Sequence, residues 1–418
     1  MNTPPKVERY HSLDAMRAFA LLLGVFFHAA ESFEAGHRGW AIIDASPSVV
    51  LHYFRHASHS FRMELFFLLC GFFARLLYHR RGWRGFTWNR FNRIFIPLVV
   101  GWFILYPMLV FIWLWGASKS GQWDALALPL EARQLPPWKL TLGFLASGGM
   151  FQKFDLTHLW FLHQLLVLYL LVIPLRALLL RWAPAGLWPR LDTVFRRWFE
   201  TRWRVVVFAA LTAPVLLTMD SWDVDTPKSS LLPHAPTTLL YLGFFACGWF
   251  LHRQPGLWAC LAPGWRWSLV AGAALVLPTG LLPRWAWSQG YRDGALDAVR
   301  VLHTVLYALM MWSFVCGFAG WFIARCTGAS RFWRYVSDAS YWVYLAHLPT
   351  VVALQVALAY TPLPVVLKYP LILAIAIPLL FLSYHFLARS TFIGQQLNGQ
   401  KYSRQLPWKS SPAPGGPG

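Results

Sequence analysis

Long apolar runs separated by short polar ones dominate the chain. Ten of them reach or approach the roughly 17–25 helical residues needed to cross about 30 Å of hydrocarbon. They lie near 18–38, 61–78, 94–115, 158–180, 204–219, 236–252, 267–283, 299–324, 339–358 and 369–388. The runs at 204–219 and 267–283 are short and carry internal Pro or Gly. Barrel strands are excluded, because they are about 10 residues long and alternate apolar with polar. The pattern predicts an all-α, polytopic membrane bundle of about ten transmembrane helices, forming one domain over 1–388. A polar tail follows at 389–418, and its Ser-, Pro- and Gly-rich end is expected to be disordered.

Composition agrees with lipid as the surrounding solvent. Hydrophobic residues make up 57% and charged residues 13% of the 418, against about 25% charged in an ordinary soluble domain. The net charge of +20 would suggest nucleic acid in a soluble protein, but here it must first be placed relative to the bilayer. With ten spans both termini share a side. That side receives 25 of the 37 Lys and Arg and five of the 17 Asp and Glu, so it carries the whole +20 and the other face is neutral. The positive-inside rule makes the basic face cytoplasmic, in what is expected to be a bacterial inner membrane. Membrane lipid, and not nucleic acid, is the expected surrounding partner.

Some features narrow the class further. The run from Ala18 to Ala30 resembles a secretory signal, but Asp14 and Arg17 precede it, His28 interrupts it, and nine spans follow, so it reads as a retained first span. No internal repeat is visible, which weakens a carrier built from two related halves. The longest loop on the neutral face, about 116–157, has the size to shape a mouth over the bundle. The five cysteines form neither a disulfide framework nor a metal-spaced cluster, so no metal is expected.

Ionisable side chains inside spans are costly and therefore candidates for function. Arg17 stands at the cytoplasmic end of the first span and His28 lies eleven residues later, roughly 16 Å deeper on the same helical face. Asp14, three residues before Arg17, is placed to hold the guanidinium. One reading is a histidine that takes a proton deep in the bundle while an arginine recruits an anion. The plainer alternative is a histidine bonded across helices and an arginine marking the boundary. Glu64 enters the second span at a depth His28 can share, where it either fixes the imidazole tautomer or sits in the headgroup layer beside Arg62. Cys70-Gly71 reads first as close helix packing through small residues. Arg90 and Arg93, one turn apart in a basic and aromatic loop, are spaced to clamp a phosphate, though topology alone explains much of that charge. His158, Trp160 and His163 open the fourth span, and His347 lies within the ninth.

These motifs occur in an order that resembles the membrane-bound acyltransferase 3 family. Leu13-Asp14 with Arg17 and His28 is similar to its first-span signature. Glu64 to Phe72 resembles its second-span motif, with Cys70 where Ser is usual. Arg90 to Pro97 resembles its Arg-x-x-Arg-then-Pro segment, and Ser337 to His347 its late-span Tyr-Leu-x-His pattern. His158 to Leu162 and the Ser390 to Lys401 tail resemble a branch that succinylates osmoregulated periplasmic glucans.

The resemblance implies acyl transfer from a cytoplasmic acyl-CoA, succinyl-CoA or acetyl-CoA, to hydroxyls of a periplasmic glucan or related glycan. It implies His28, Arg17, Asp14 and Glu64 as catalytic, Arg17, Arg90 and Arg93 as donor-binding, and His158, Trp160 and His347 as substrate-binding. The competing class is a solute or proton-coupled transporter, which also places His, Glu and Arg inside a bundle.

Overall fold

A computed structural model describes residues 10–34, 39–123, 128–184, 186–290 and 297–405. The last residues of the tail, where disorder is expected, lie outside the described residues. The described chain is helical: α1 His11–Ala30, α2 Val49–His59, α3 Arg62–Arg90, α4 Ile96–Ser120, α5 Pro137–Ala146, α6 Gly149–Gln152, α7 Trp160–Trp182 and α8 Leu187–Glu200. There follow α9 Arg204–Leu216, α10 Ala235–Arg253, α11 Trp265–Ser288, α12 Ala298–Arg325, α13 Arg331–Leu358, α14 Val365–Ser383 and α15 Phe392–Asn398.

Each of the ten apolar runs overlaps one of these helices; the first outruns α1, which ends at Ala30, and its residues 35–38 lie outside the described residues. Seven helical stretches are long and apolar enough to cross a membrane, and one of these, Val49–Ser120, contains both α3 and α4. α9 has 13 residues, about 20 Å at 1.5 Å each, which is short of the hydrocarbon thickness. Prolines sit inside α4, α7, α9, α11, α13 and α14, as membrane helices tolerate. Apolar side chains such as Val100, Phe103 and Ile104 on α4 and Leu170 on α7 face outward, as a lipid-covered surface requires.

α1 is central, packing against α3, α12, α13 and α14. Its Ala15, Ala18, Ala20, Gly24, Ala29 and Ala30 are buried and let neighbours approach closely. α3 crosses α10 the same way: a Cβ on Gly71 would stand 1.9 Å from the Phe245 carbonyl oxygen, and one on Gly248 1.8 Å from that of Leu68. The packing role expected of Cys70-Gly71 is therefore met by the glycine. α3 breaks at Gly82, whose φ of +65° suits a residue without Cβ. That break turns the arginine-rich segment 83–90 back beneath the bundle.

Candidate active site

The site grows from the two ends of α1. At its N-terminal end the Arg17 guanidinium donates to Ser337 Oγ on α13 (2.6 Å) and approaches Asp14 (3.6 Å). Arg17 faces a cavity of about 320 Å³ that also receives Arg80, Arg81, Arg90 and Arg93. Among the described residues no Asp or Glu lines it. Its apolar walls come from α3 and α7, including Phe66, Cys70 and Leu162. Arg90 lies 5.1 Å from the ring centres of both Phe86 and Tyr169, so aromatic faces hold it without neutralising it. Arg93 sits on a π-helical turn at Phe91–Phe95, and Tyr341 donates to its carbonyl (2.5 Å).

The cavity ends at Tyr344, and three imidazoles begin there. Tyr344 donates its hydroxyl to the His158 carbonyl (2.7 Å) and accepts from His347 Nδ1 at its own carbonyl (2.6 Å). A ring nitrogen bonded to a carbonyl must carry the proton, so neutral His347 presents Nε2 as an acceptor. His158 Nε2 likewise donates to the Leu345 carbonyl (3.0 Å). The His347 ring centre is 5.3 Å from His158 and 5.2 Å from His28. Three helical elements thus bring His158, His347 and His28 into one line. A Cβ on Gly24, one turn before His28, would lie 3.8 Å from His347 Nε2 and 3.5 Å from Arg62 Nη1.

His158 is positioned by a strained turn. Thr157 has φ +53°, which is uncommon for a β-branched residue, and its N–H is held by Asp155 Oδ1 (2.5 Å). Trp102 donates to the Asp155 carbonyl (3.0 Å) and Tyr106 to that of Lys153. Burial raises the Asp155 carboxyl above its ordinary range, while Lys228 and the Thr157 N–H oppose that shift.

Around His28 the expected partner Glu64 is joined by a second carboxylate. Glu64 is fully buried, its carboxylate lies against the backbone N–H groups of Met63 and Glu64 at the start of α3, and among the described residues it makes no ion pair with His28. The nearby carboxylate is Glu31, with Oε1 3.7 Å from His28 Nδ1. The two are three residues apart at the end of α1, where helical side chains i and i+3 are neighbours. Nδ1 is buried while the His28 side chain keeps 17% of its exposure, which leaves the Nε2 edge toward open space. Trp40 lies parallel to the ring at 6.0 Å. Its indole donates to Gln355 (3.0 Å), and Gln355 donates to the carbonyls of His28 (2.8 Å) and Ala29 (3.1 Å).

Glu31, Trp40 and Gln355 were not singled out from sequence. Gln355 alone carried a signal, as an amide two turns beyond His347 in an apolar span. The Trp160 ring stacks on Tyr241 (5.8 Å), and among the described residues it meets none of the three imidazoles. His163 donates to the Leu231 carbonyl (3.1 Å). One His/Asp cluster of metal-ligand composition exists among the described residues, Asp220, Asp225 and His234. There Asp225 already accepts from the Asp220 and Ser221 N–H groups and the Ser221 hydroxyl, which makes it a turn cap.

An arginine cavity joined to buried imidazoles suits transfer of a group carried on an anion, and comparison with known proteins decides the family. The model of an acyltransferase domain, acyltransferase 3, matches residues 10–385. The chain belongs to the acyltransferase 3 family. It is a multi-pass membrane acyltransferase, and the order of motifs from Arg17 to His347 is accounted for by that membership. Among curated relatives, the glucans biosynthesis protein C of Escherichia coli O1:K1 is 29% identical over 174 residues, 41% of this chain and 40% of the relative. The protein of the same name from E. coli O139:H28 matches with the same identity and coverage. The alignment therefore spans less than half the length of those relatives. No solved structure matches.

Proposed function

We propose that this acyltransferase moves a short acyl group, succinyl or acetyl, from cytoplasmic acyl-CoA to a hydroxyl of a glycan across the bilayer. The observation that carries the reading is the single residue Tyr344 shared by an arginine cavity and a line of three imidazoles. Coenzyme A is a polyphosphate, and five guanidinium groups facing one cavity without a lining carboxylate form a site of matching charge. Arg80, Arg81, Arg90 and Arg93 belong to the loop counted on the basic face, so the cavity opens to the cytoplasm under ten crossings and the positive-inside rule. The glucan biosynthesis of the named relatives supports a periplasmic glucan or related glycan as acceptor and the bacterial inner membrane as location.

The chemistry needs a base. A sugar hydroxyl attacks the thioester carbonyl, its proton passes to an imidazole, the carbon–sulfur bond breaks, and the CoA thiolate recovers a proton. His28 Nε2 is the proposed base, because Glu31 beside Nδ1 favours the tautomer with Nε2 unprotonated. His347 Nε2, an acceptor fixed by Tyr344, lies beside His28 and is placed to accept from a neighbouring hydroxyl of the same sugar, leaving the attacking O–H to His28. His158, whose Nε2–H is committed to Leu345, holds this line in place. Arg17, steadied by Asp14 and Ser337, holds the donor at the cavity's inner end, with Arg90 and Arg93 at its mouth. No metal enters this scheme.

The test is CoA thiol release by purified protein given succinyl-CoA or acetyl-CoA with and without a glucose oligosaccharide. Release that depends on the oligosaccharide and disappears in His28→Ala is expected. Movement of solute without thiol release would instead identify a carrier.

A further inference from the structure

The tail after α14 is not a free end, and its contacts converge on one cavity arginine. α15 starts at Thr391, whose hydroxyl accepts from the Ile393 N–H, and ends at Gly399 with φ +78°. The carbonyl of Leu397, in its last turn, accepts from both Nε (3.0 Å) and Nη2 (2.6 Å) of Arg93. A helix C-terminus carries partial negative charge and unsatisfied carbonyls, so it is a natural seat for a guanidinium. The turn next to the seat favours glycine because φ at Gly399 is left-handed.

Other bonds fix this turn beneath the bundle. Gln396 donates to the Asn92 carbonyl, and Asn398 donates to the Asp338 carbonyl (3.0 Å) beside Ser337. The Tyr402 hydroxyl donates to Asp338 Oδ1 (2.9 Å) and its N–H to the Arg389 carbonyl (3.0 Å). Arg389 donates to the Ser403 carbonyl (2.7 Å). The Asn398 side chain itself forms part of the cavity wall.

An arginine has five N–H donors in a rigid fork. Two of Arg93's are held by Leu397, and three remain. Fixing the fork at its back removes the side-chain freedom that a phosphate would otherwise have to restrict on binding. We infer that residues 389–405 are a positioning strap of the anion site, holding Arg93 in place and closing the cavity wall with Asn398. This rests on the donor assignment proposed above. The ligand it serves is a phosphate-bearing thioester, and the strap acts on binding of that ligand, not on proton transfer.

The experiment uses the full chain with Gln396→Ala combined with Tyr402→Phe, and separately Gly399→Val, which opposes the left-handed turn. Two readouts are taken: steady-state acylation with acyl-CoA varied, and the rate at which phenylglyoxal modifies Arg93, followed by mass spectrometry. The inference expects faster Arg93 modification in both variants, together with a rise of about tenfold in the KM for acyl-CoA. It expects kcat and the glycan KM within about twofold of the parent protein. Unchanged Arg93 reactivity and unchanged donor KM overturn the strap, as does a fall in donor KM, which would make the segment a plug. Faster Arg93 modification in protein that neither binds nor turns over acyl-CoA leaves the contact standing but overturns the donor reading, and the strap's role with it. If one variant fails to fold, the other carries the same two readouts.

Discussion

The two ends of the bundle treat charge in opposite ways. Near the N-terminus of α1, five arginines share a cavity that no carboxylate lines. At the far end Lys368 and Arg55 are matched by carboxylates, while Arg62 rests on the Phe27 ring. Lys368, 1% exposed, is bonded to both oxygens of Asp44 (2.8 and 3.0 Å) and to the Ala359 carbonyl (2.7 Å). Arg55 pairs with Glu34, which also takes His52 Nδ1 at 2.8 Å. A buried charge left alone is costly, so charge that only serves the fold is paired on the spot. Charge left unmatched toward a cavity is held for something that arrives. The arginine end is built to bind, and the far end to hold shape.

That contrast can be broken at several points, in decreasing order of effect. His28→Ala should lower kcat for acyl transfer by about 10²–10⁴, the usual contribution of a general base, with thermal stability near that of the parent. A melting curve and a turnover assay on one preparation check both halves. Lys368→Met should do the reverse. Removing one partner of a buried pair costs about 3–5 kcal/mol, so denaturation should shift sharply while the donor KM of surviving protein holds. Adding Asp44→Leu should return much of the loss.

Arg17→Lys keeps the charge but loses the fork that reaches Ser337. A rise in acyl-CoA KM of about tenfold is expected, equivalent to about 1.4 kcal/mol, with the glycan KM unmoved. The smallest expected effect separates two carboxylates. Glu31→Gln should lower kcat by roughly tenfold by weakening the tautomer preference at His28, whereas Glu64→Gln should leave kcat within about twofold. If Glu64→Gln proves the more damaging, the assignment of Glu31 is wrong.

What was legible in the sequence followed from local periodicity. A helix fixes Arg17 and His28 on one face at a known rise, and apolar runs of membrane length fix where helices form. The small-residue reading of Gly71 held for the same reason, since a missing side chain marks close approach wherever its partner lies. The rest depends on contacts between distant segments. Gln355 reaches His28 across 327 positions, and no periodicity announces such a pair. Glu31 was not singled out, and its 3.7 Å approach to His28 shows only once the end of α1 is in place. The resemblance implied Trp160 as substrate-binding, and which way its ring turns, here onto Tyr241, depends on the rotation of α7. α2 and α8 were missed because they are short and amphipathic, without the unbroken apolar run by which a span is recognised. The docked tail was missed because side chains and backbone carbonyls hold it, and sequence composition does not register those bonds.

Sidedness tests the central claim most directly. The protein is sealed into liposomes with acyl-CoA confined to one compartment and an oligosaccharide to the other, and acylated oligosaccharide is measured by mass spectrometry. The account predicts product only when donor and acceptor lie on opposite sides, with donor at the arginine face, and none in His28→Ala. Equal product with both substrates on one side, or an undiminished yield without the imidazole, would contradict it.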